Sequence, residues 1–516
     1  MKRRDFVKNI SLASLSTPFV LNKFNFQTVT KPLFKVEKNM EDRVLVVIRL
    51  GGGNDGLNTV IPLDGYDTLV NHRSNVILPE SSLIKLNDDI AFHPSMNGMG
   101  NLFNEGKLAI IQNVGYPNQN RSHFRSTDIW DTGILDPNTT SGWLGRNFDQ
   151  QYPNFPNDYP SNDYPDPFAI AMGSQVSATC QGLMGNFSHT VSNPNDTFNL
   201  SQSTVVDDGT YYGSHLDYLS TIIAQTNEYG SRVYSATNSG SSLSTKYDEN
   251  NSLATQLKYV AQMISGGLKT KVYVLHIDGF DTHDGQVITT DATQGTHTDL
   301  LKKLSDAIEA FQDDLKLLGL EEKVAGMTYS EFGRQIASNA SYGTDHGDAA
   351  PMFLFGSCIG QSVVGSNPQI NDQLQKQEGV AMDIDFRDVY ATILKNWFNV
   401  DTNEIQSLFE HQVTFYGMLG ACNVGIDELA QEEDNLLLYP NPVSSTSTLK
   451  ITTQNGPVRI EVINMAGAVI KVVFEGNLTA KEHHIPLDFS EIKAGSYFVN
   501  VIERDKNQHV RFVKTE

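Results

Sequence analysis

Apolar, β-branched runs of eight or nine residues recur along the middle of this chain, and a long amphipathic period separates two of them. The runs are "RVLVVIRL" (43–50), "LAIIQNVGY" (108–116), "KVYVLHID" (271–278) and "KVAGMTYS" (323–330). A strand with one wet face alternates apolar and polar residues, so runs that stay apolar predict strands buried on both faces. Between the last two, Leu301, Leu304, Ile308, Phe311, Leu315 and Leu318 recur at steps of three and four, which is one face of a helix. Buried strands alternating with helices predict an α/β fold over residues 40–424, a mostly parallel sheet flanked by helices. The chain has 516 residues, enough for two or three units, and its 39% hydrophobic and 19% charged residues are ordinary globular proportions. Two stretches predict irregular loops: "QQYPNFPNDYPSNDYPDPF" (150–168) and the Ser/Asn-rich segment around 236–252.

Both ends differ from the middle. The start, "MKRRDFVKNISLASLSTPFV", carries paired arginines before Phe6 and Lys8 and then a short, mildly apolar segment. It resembles a twin-arginine export signal, with Val7 at the usual Leu position, and residues 1–30 are assigned to it; a basic irregular start is the alternative. The apolar part is too short to span a bilayer, and no later stretch is long and apolar enough for a membrane helix. After an acidic linker (425–434), residues 435–516 alternate as Val458-Ile460-Val462 and Tyr497-Val499-Val501, broken by "NG" and "AG". That pattern predicts short antiparallel strands in a small all-β sandwich. "YPNP", "INMAGAVI", "AGSYFVNV" and "RFVK" in this order resemble the type A sorting domain of type IX secretion in Bacteroidetes. The resemblance implies an exported protein, in the periplasm in transit and then at the cell surface or secreted, with the secretion machinery as partner. A generic Ig-like binding module is the alternative.

Net charge is −22 and the pI is near 4.9. This argues against nucleic acid or an anionic membrane surface as partner and suits a protein that holds divalent cations. Cys180, Cys358 and Cys422 are far apart with no CxxC, so a cysteine-built zinc site is excluded and at most one disulfide can form.

Polar motifs gather where the predicted strands end, which is where an open α/β sheet places its site. "LGGGNDGLNTVIP" (50–62) follows the first run, with Asp55 at its turn; its GGGxxG spacing is not the dinucleotide GxGxxG. "HIDGFDTHDGQ" (276–286) holds Asp278, Asp281, His283 and Asp284. "YSEFGRQIASNASYGTDHG" (329–347) holds Glu331, Arg334, Asp345 and His346, the last two on a tight turn between glycines. Carboxylates mixed with imidazoles suit a hydrolytic divalent metal, though any one carboxylate here could equally serve as a turn or cap residue. "QNRSHFRSTDIWDTG" (119–133) reads as a turn entering a helix, with Ser122 near the helix start. Such a serine either caps the helix or acts as a nucleophile, and His123 beside it either does acid–base work or satisfies a carbonyl.

"GGGNDGLNTVIP", "FHPSM", "VGYPNQNRSHFRSTDIWDTG", "GWLGR", "GFDTH", "SEFGR" and "GTDHG" occur in the order of the bacterial family named domain of unknown function 1501. That family is placed in the alkaline-phosphatase-like superfamily, with phosphatases, sulfatases and phosphoglycerate mutases. The resemblance implies metal ligands at Asp345 and His346, at Asp55, and at Asp281, His283 or Asp278. It implies a nucleophile at Ser122, with His123 beside it, and Arg334 or Arg121 neutralising a bound anion. His411, in "FEHQ", stands without a supporting motif for a further ligand. The function implied is an exported, metal-dependent hydrolase of phosphate or sulfate esters. Its cofactor would be zinc, manganese, magnesium or calcium, and its substrate a small anionic ester or glycan. The alternative is a non-catalytic surface protein that binds glycan or a protein partner on the same fold.

Overall fold

The computed structural model of the chain describes residues 20–21, 24–25, 42–196, 200, 209–420 and most of 436–515. The export signal read at 1–30, apart from Val20–Leu21 and Phe24–Asn25, and the linker at 425–434 lie outside the described residues. The chain divides into two compact units, Met1–Cys422 and Asn423–Glu516.

In the first unit the four apolar runs are strands of one central sheet. They are β1 (Val44–Gly51), β2 (Leu108–Gly115), β5 (Val272–Asp278) and β6 (Val324–Tyr329). The sheet is completed by β3 (Ala169–Met172), β4 (Ser188–Val191), β9 (Ala350–Phe355), β10 (Val363–Val364) and β11 (Ile384–Asp385). A hairpin of β7 (Arg334–Ser338) and β8 (Thr344–His346) stands apart from it. The order across the sheet is β10-β2-β9-β6-β1-β5-β3-β4, with β11 also on β2. All neighbours are parallel except β9, which runs antiparallel to both β6 and β2. The mostly parallel α/β sheet expected from the sequence is therefore the one observed, and its single reversed strand decides where the site forms.

Helices cover both faces, as strands that are apolar on both sides require. They include α1 (His123–Thr132), α2 (Tyr211–Ser239), α3 (Ser252–Ser265), α4 (Thr296–Leu317) and α5 (Phe386–Asn396). One core joins Val46 and Ile48 of β1 to Leu257 and Val260 of α3 and to Leu301, Leu304, Ile308, Phe311 and Leu315 of α4. The other joins Leu45 and Val47 of the same strand to Trp130 of α1 and to Val389, Tyr390 and Ile393 of α5. The helix α2 extends to Ser239, into the segment read as loop around 236–252. Its buried Val233 and Ala236 pack on the first core, and tertiary burial there overrides the weak helix propensity of Ser and Asn. Among the described residues, no helix is long and apolar enough to cross a membrane.

In the second unit the paired strands of both sheets are antiparallel. Leu436–Tyr439, Thr446–Thr453 and Lys481–Asp488 form one sheet, and Gly456–Asn464, Val469–Leu478, Gly495–Ile502 and Asn507–Lys514 form another. The alternating residues Val458, Ile460, Val462, Val499 and Val501 are buried in its own core with Leu449 and Phe512. The sandwich-like architecture follows from that two-residue period.

Candidate metal centre

The register of the parallel strands sets the place. Asp278 at the end of β5 pairs with Gly51 at the end of β1, and Tyr329 at the end of β6 pairs with Arg49. The segments that follow these strands therefore leave from one edge. Because β9 runs back from that edge, the β7–β8 hairpin between β6 and β9 belongs to it too. Asp345 and His346, expected on a tight turn, lie on β8 and are aimed by the hairpin.

The glycines after β1 serve close approach. Gly52 has φ +120°, and a Cβ on it would stand 2.3 Å from the Asp281 backbone nitrogen; Gly53 has φ +86°, and a Cβ there would meet Phe332 at 2.4 Å. Only glycine permits that conformation and that contact, so the GGG run lets the loop after β5 close over β1.

Four of the expected residues meet there. His283 Nδ1 lies 2.8 Å from Asp345 Oδ1, and His283 Nε2 lies 2.8 Å from His346 Nε2. Asp281 Oδ1 is 3.1 Å from His283 Nε2 and 3.0 Å from His346 Nε2. His123, the first residue of α1, joins them, with its Nε2 3.4 Å from Asp281 Oδ2 and its ring 4.5 Å from that of His346. One ligand atom from each of His123, Asp281 and His346 lies within 4.8 Å of the others, close enough to hold one cation. Phe332 packs on the rings of His346 and His123 and forms an apolar side of the cluster.

The surroundings fix these groups. His346 Nδ1 is 2.9 Å from the Arg121 carbonyl. His123 Nδ1 is 3.0 Å from Glu331 Oε1, which also accepts the Gly52 N–H at 2.8 Å. Glu331 is buried, and its Oε2 has no hydrogen-bond partner among the described residues. Desolvation pushes the Asp281 carboxyl up, but hydrogen bonds from Arg334 and His346 outweigh it and hold it near a pKa of about 2. Asp345 is held below the usual carboxylate range chiefly by its bond with His283. Burial keeps His346 below the usual imidazole value, only partly offset by Asp281.

Several expected residues sit elsewhere. Asp55 is buried away from the cluster, 3.1 Å from Arg73 Nη1, and accepts from Gln286 Nε2 at 2.6 Å. Its lone pairs are directed at a guanidinium and an amide, so the structure does not bring it into the ligand group. Asp278 is exposed, with His276 Nε2 3.9 Å away, because Gly279 (φ +111°) turns the chain before Asp281. Arg334 is fully buried and donates to the carbonyls of Gly53, Thr344 and Phe280 and to Asp281 Oδ1, so it ties the loops together and holds the carboxylate. Arg121 is paired with Asp348 at 2.7 Å. Ser122 takes the N-cap position of α1, exposed, with no cap bond from its side chain. His411 lies 2.9 Å from Asp388 Oδ1.

Glu331 stands in its motif with no role legible from the sequence, and the buried pair His93 and His297 carries no sequence signal of its own. Burial, with repulsion from His297, holds His93 at about 3, and burial holds His297 at about 4. His93 stands in "FHPSM", which carried no metal-like spacing, and His297 is the second residue of α4.

Solved structures resemble the chain distantly. A protein of the alkaline phosphatase superfamily from Vibrio parahaemolyticus is 11% identical with a TM-score of 0.31, covering 90% of this chain and 83% of that one. The PsFucS1 sulfatase from Pseudoalteromonas sp. is 9% identical with a TM-score of 0.31, covering 87% and 84%. A phosphonate monoester hydrolase from Silicibacter pomeroyi is 10% identical with a TM-score of 0.32, covering 92% and 89%. No curated protein matches the sequence. Residues 437–515 match a secretion system C-terminal sorting domain, which marks the protein for type IX secretion to the cell surface or beyond. Residues 42–413 match the family described as a protein of unknown function (DUF1501), and the chain belongs to that family.

Proposed function

We propose that the protein is an exported, metal-dependent hydrolase of phosphate or sulfate esters. The observation that carries this is the convergence of His123, Asp281, His283 and His346 at the edge where three parallel strands end. A bound divalent cation would polarise an ester oxygen and acidify a hydroxyl nucleophile. Ser122 is the nucleophile in this reading. It stands at the start of α1 beside His123, and its hydroxyl is not spent on the helix cap. The helix N-terminus favours the negative charge that develops there. Arg334 holds Asp281 in place, and Phe332 keeps water from one side of the imidazoles.

One observation favours a second reading, a non-catalytic surface protein that binds glycan or a protein partner. Arg334 and Arg121, the expected anion binders, are already committed to carbonyls and carboxylates within the chain. Aryl phosphate and sulfate esters offered to the metal-supplied protein separate the two. The hydrolase reading expects slow turnover that His346→Ala abolishes. No turnover of any ester by wild type would leave the binding-protein reading.

A further inference from the structure

We propose that the cavity at the starting ends of β1, β3 and β5 is a binding site for a neutral oligosaccharide, separate from the metal centre. This goes beyond the hydrolase reading and does not depend on it.

The cavity gives a place to the Tyr/Pro-rich stretch at 150–168, which the metal centre leaves without a role. Its volume is about 550 Å³, within the roughly 300–1,000 Å³ of small-molecule sites. Asp42, which precedes β1, Phe168, which precedes β3, and Val272, the first residue of β5, all line it. The metal centre follows the opposite ends of β1 and β5. The length of β5, roughly 20 Å at about 3.3 Å per residue, therefore separates the two.

The walls are held in place without a ligand. Gln225 of α2 donates from Nε2 to the carbonyls of Pro156 and Tyr159. Arg232 of the same helix pairs with the buried Asp166 at 2.6 Å, and Asp166 also accepts the Lys269 N–H at 2.9 Å. Tyr152 and Phe168 are buried, with ring centroids 4.2 Å apart. Tyr164, its ring 5.1 Å from that of Tyr152, is 45% exposed. An anchored loop thus keeps one aromatic ring half in water beside the cavity, and a preformed wall lowers the ordering cost of binding.

The polar lining is of the kind that sugar hydroxyls use. Asn147, on the helix Trp143–Gln151, lines the cavity and is only 3% exposed. Its Oδ1 accepts from Gln151 Nε2 at 3.3 Å, and its Nδ2 has no partner among the described residues, so that donor is left for water or a ligand. Asp163 adds an exposed acceptor and Lys269 an exposed donor.

A pyranose ring has an apolar C–H face and a rim of hydroxyls that both donate and accept. The Tyr164 ring suits the face, and the amide, carboxylate and ammonium groups suit the rim. Carboxylates and lysines line the cavity together, so it offers no net attraction to an anion. A proline-rich peptide would also stack on tyrosine, but it brings few donors and leaves Asp163 to water.

The test offers the full-length protein an array of neutral and sulfated oligosaccharides beside a proline-rich peptide, and titrates the hits calorimetrically. At least one neutral oligosaccharide is expected to bind. Tyr164→Ala should weaken it roughly tenfold or more, Tyr164→Phe should keep it, and Asn147→Ala should weaken it about threefold to tenfold. The Tyr164 variants change an exposed side chain, so their thermal midpoints should match the wild type. His346→Ala should bind the same oligosaccharide as the wild type does. Binding that His346→Ala abolishes, or that a folded Tyr164→Ala leaves unchanged, would overturn the proposal. Binding of sulfated oligosaccharides alone, of the peptide alone, or of nothing offered would overturn it too.

Discussion

Asp55 and Arg73 form an ion pair that solvent does not reach, with Oδ1 and Nη1 3.1 Å apart. The other oxygen of Asp55 accepts from Gln286, whose own carbonyl accepts from Thr282 and Thr344 at 3.2 and 2.7 Å. Thr282 lies between Asp281 and His283, and Thr344 precedes Asp345. A residue that sequence alone offers as a metal ligand thus supports both segments that carry the cluster.

Removing one partner of this pair leaves a buried charge unpaired. Arg73→Met should lower the free energy of unfolding by roughly 3–5 kcal/mol. Urea unfolding followed by circular dichroism measures it. A loss below about 1 kcal/mol would mean that Asp55 is neutral or otherwise satisfied.

The buried histidines predict the acid limit. His93 and His297 are held at about 3 and about 4, well under the unfolded value near 6.5. Between those values the unfolded chain binds more protons than the folded one, so stability is complete above about pH 6.5 and falls as the pH drops toward the folded values. Each such proton contributes a slope of up to about 1.4 kcal/mol per pH unit. Urea midpoints at pH 7, 5.5 and 4.5 should therefore decline, and His93→Gln should flatten the decline. Equal midpoints across that range would show that the two rings are not held neutral by burial.

Ser122 sits at an N-cap without making the cap bond. Ser122→Ala should then change stability by less than about 0.5 kcal/mol, where loss of a working cap costs about 1 kcal/mol. If Ser122 is the nucleophile, the same variant loses ester hydrolysis while its thermal midpoint stays put. A lowered midpoint with activity intact would make it a cap and nothing more.

The C-terminal unit has its own core of Leu449, Ile451, Ile460, Val499 and Phe512, and it matches a sorting domain. Deleting residues 437–515 should leave the α/β unit folded with an unchanged thermal transition and should stop its delivery to the cell surface. Surface delivery of the truncated protein, detected by protease shaving of intact cells, would contradict the sorting role.

The strands were legible because burial on both faces writes itself as unbroken apolar runs: β1, β2, β5 and β6 fall within one residue of "RVLVVIRL", "LAIIQNVGY", "KVYVLHID" and "KVAGMTYS". The meeting of Asp281, His283, Asp345 and His346 was legible for a related reason, since polar residues just beyond parallel strands share one edge. What was not legible depended on partners distant in sequence. Asp55 reads as a ligand until Arg73 is seen to neutralise it, and Arg334 reads as an anion binder until the carbonyls of Gly53 and Phe280 occupy it. Asp278 and Asp281 differ only by a glycine turn that local pattern does not reveal. His123 reads in the sequence as either an acid–base group or the partner of a carbonyl, and only the packing of α1 brings its ring to His346.

Anomalous diffraction at the zinc edge, from crystals of the full-length protein grown with zinc, tests the central claim most directly. The account predicts one strong peak among His123, His283 and His346 Nε2 and the Asp281 carboxylate, with Glu331 and Asp345 behind the rings. A peak at Asp55 or Asp278, or ordered rings with no peak among them, would contradict it.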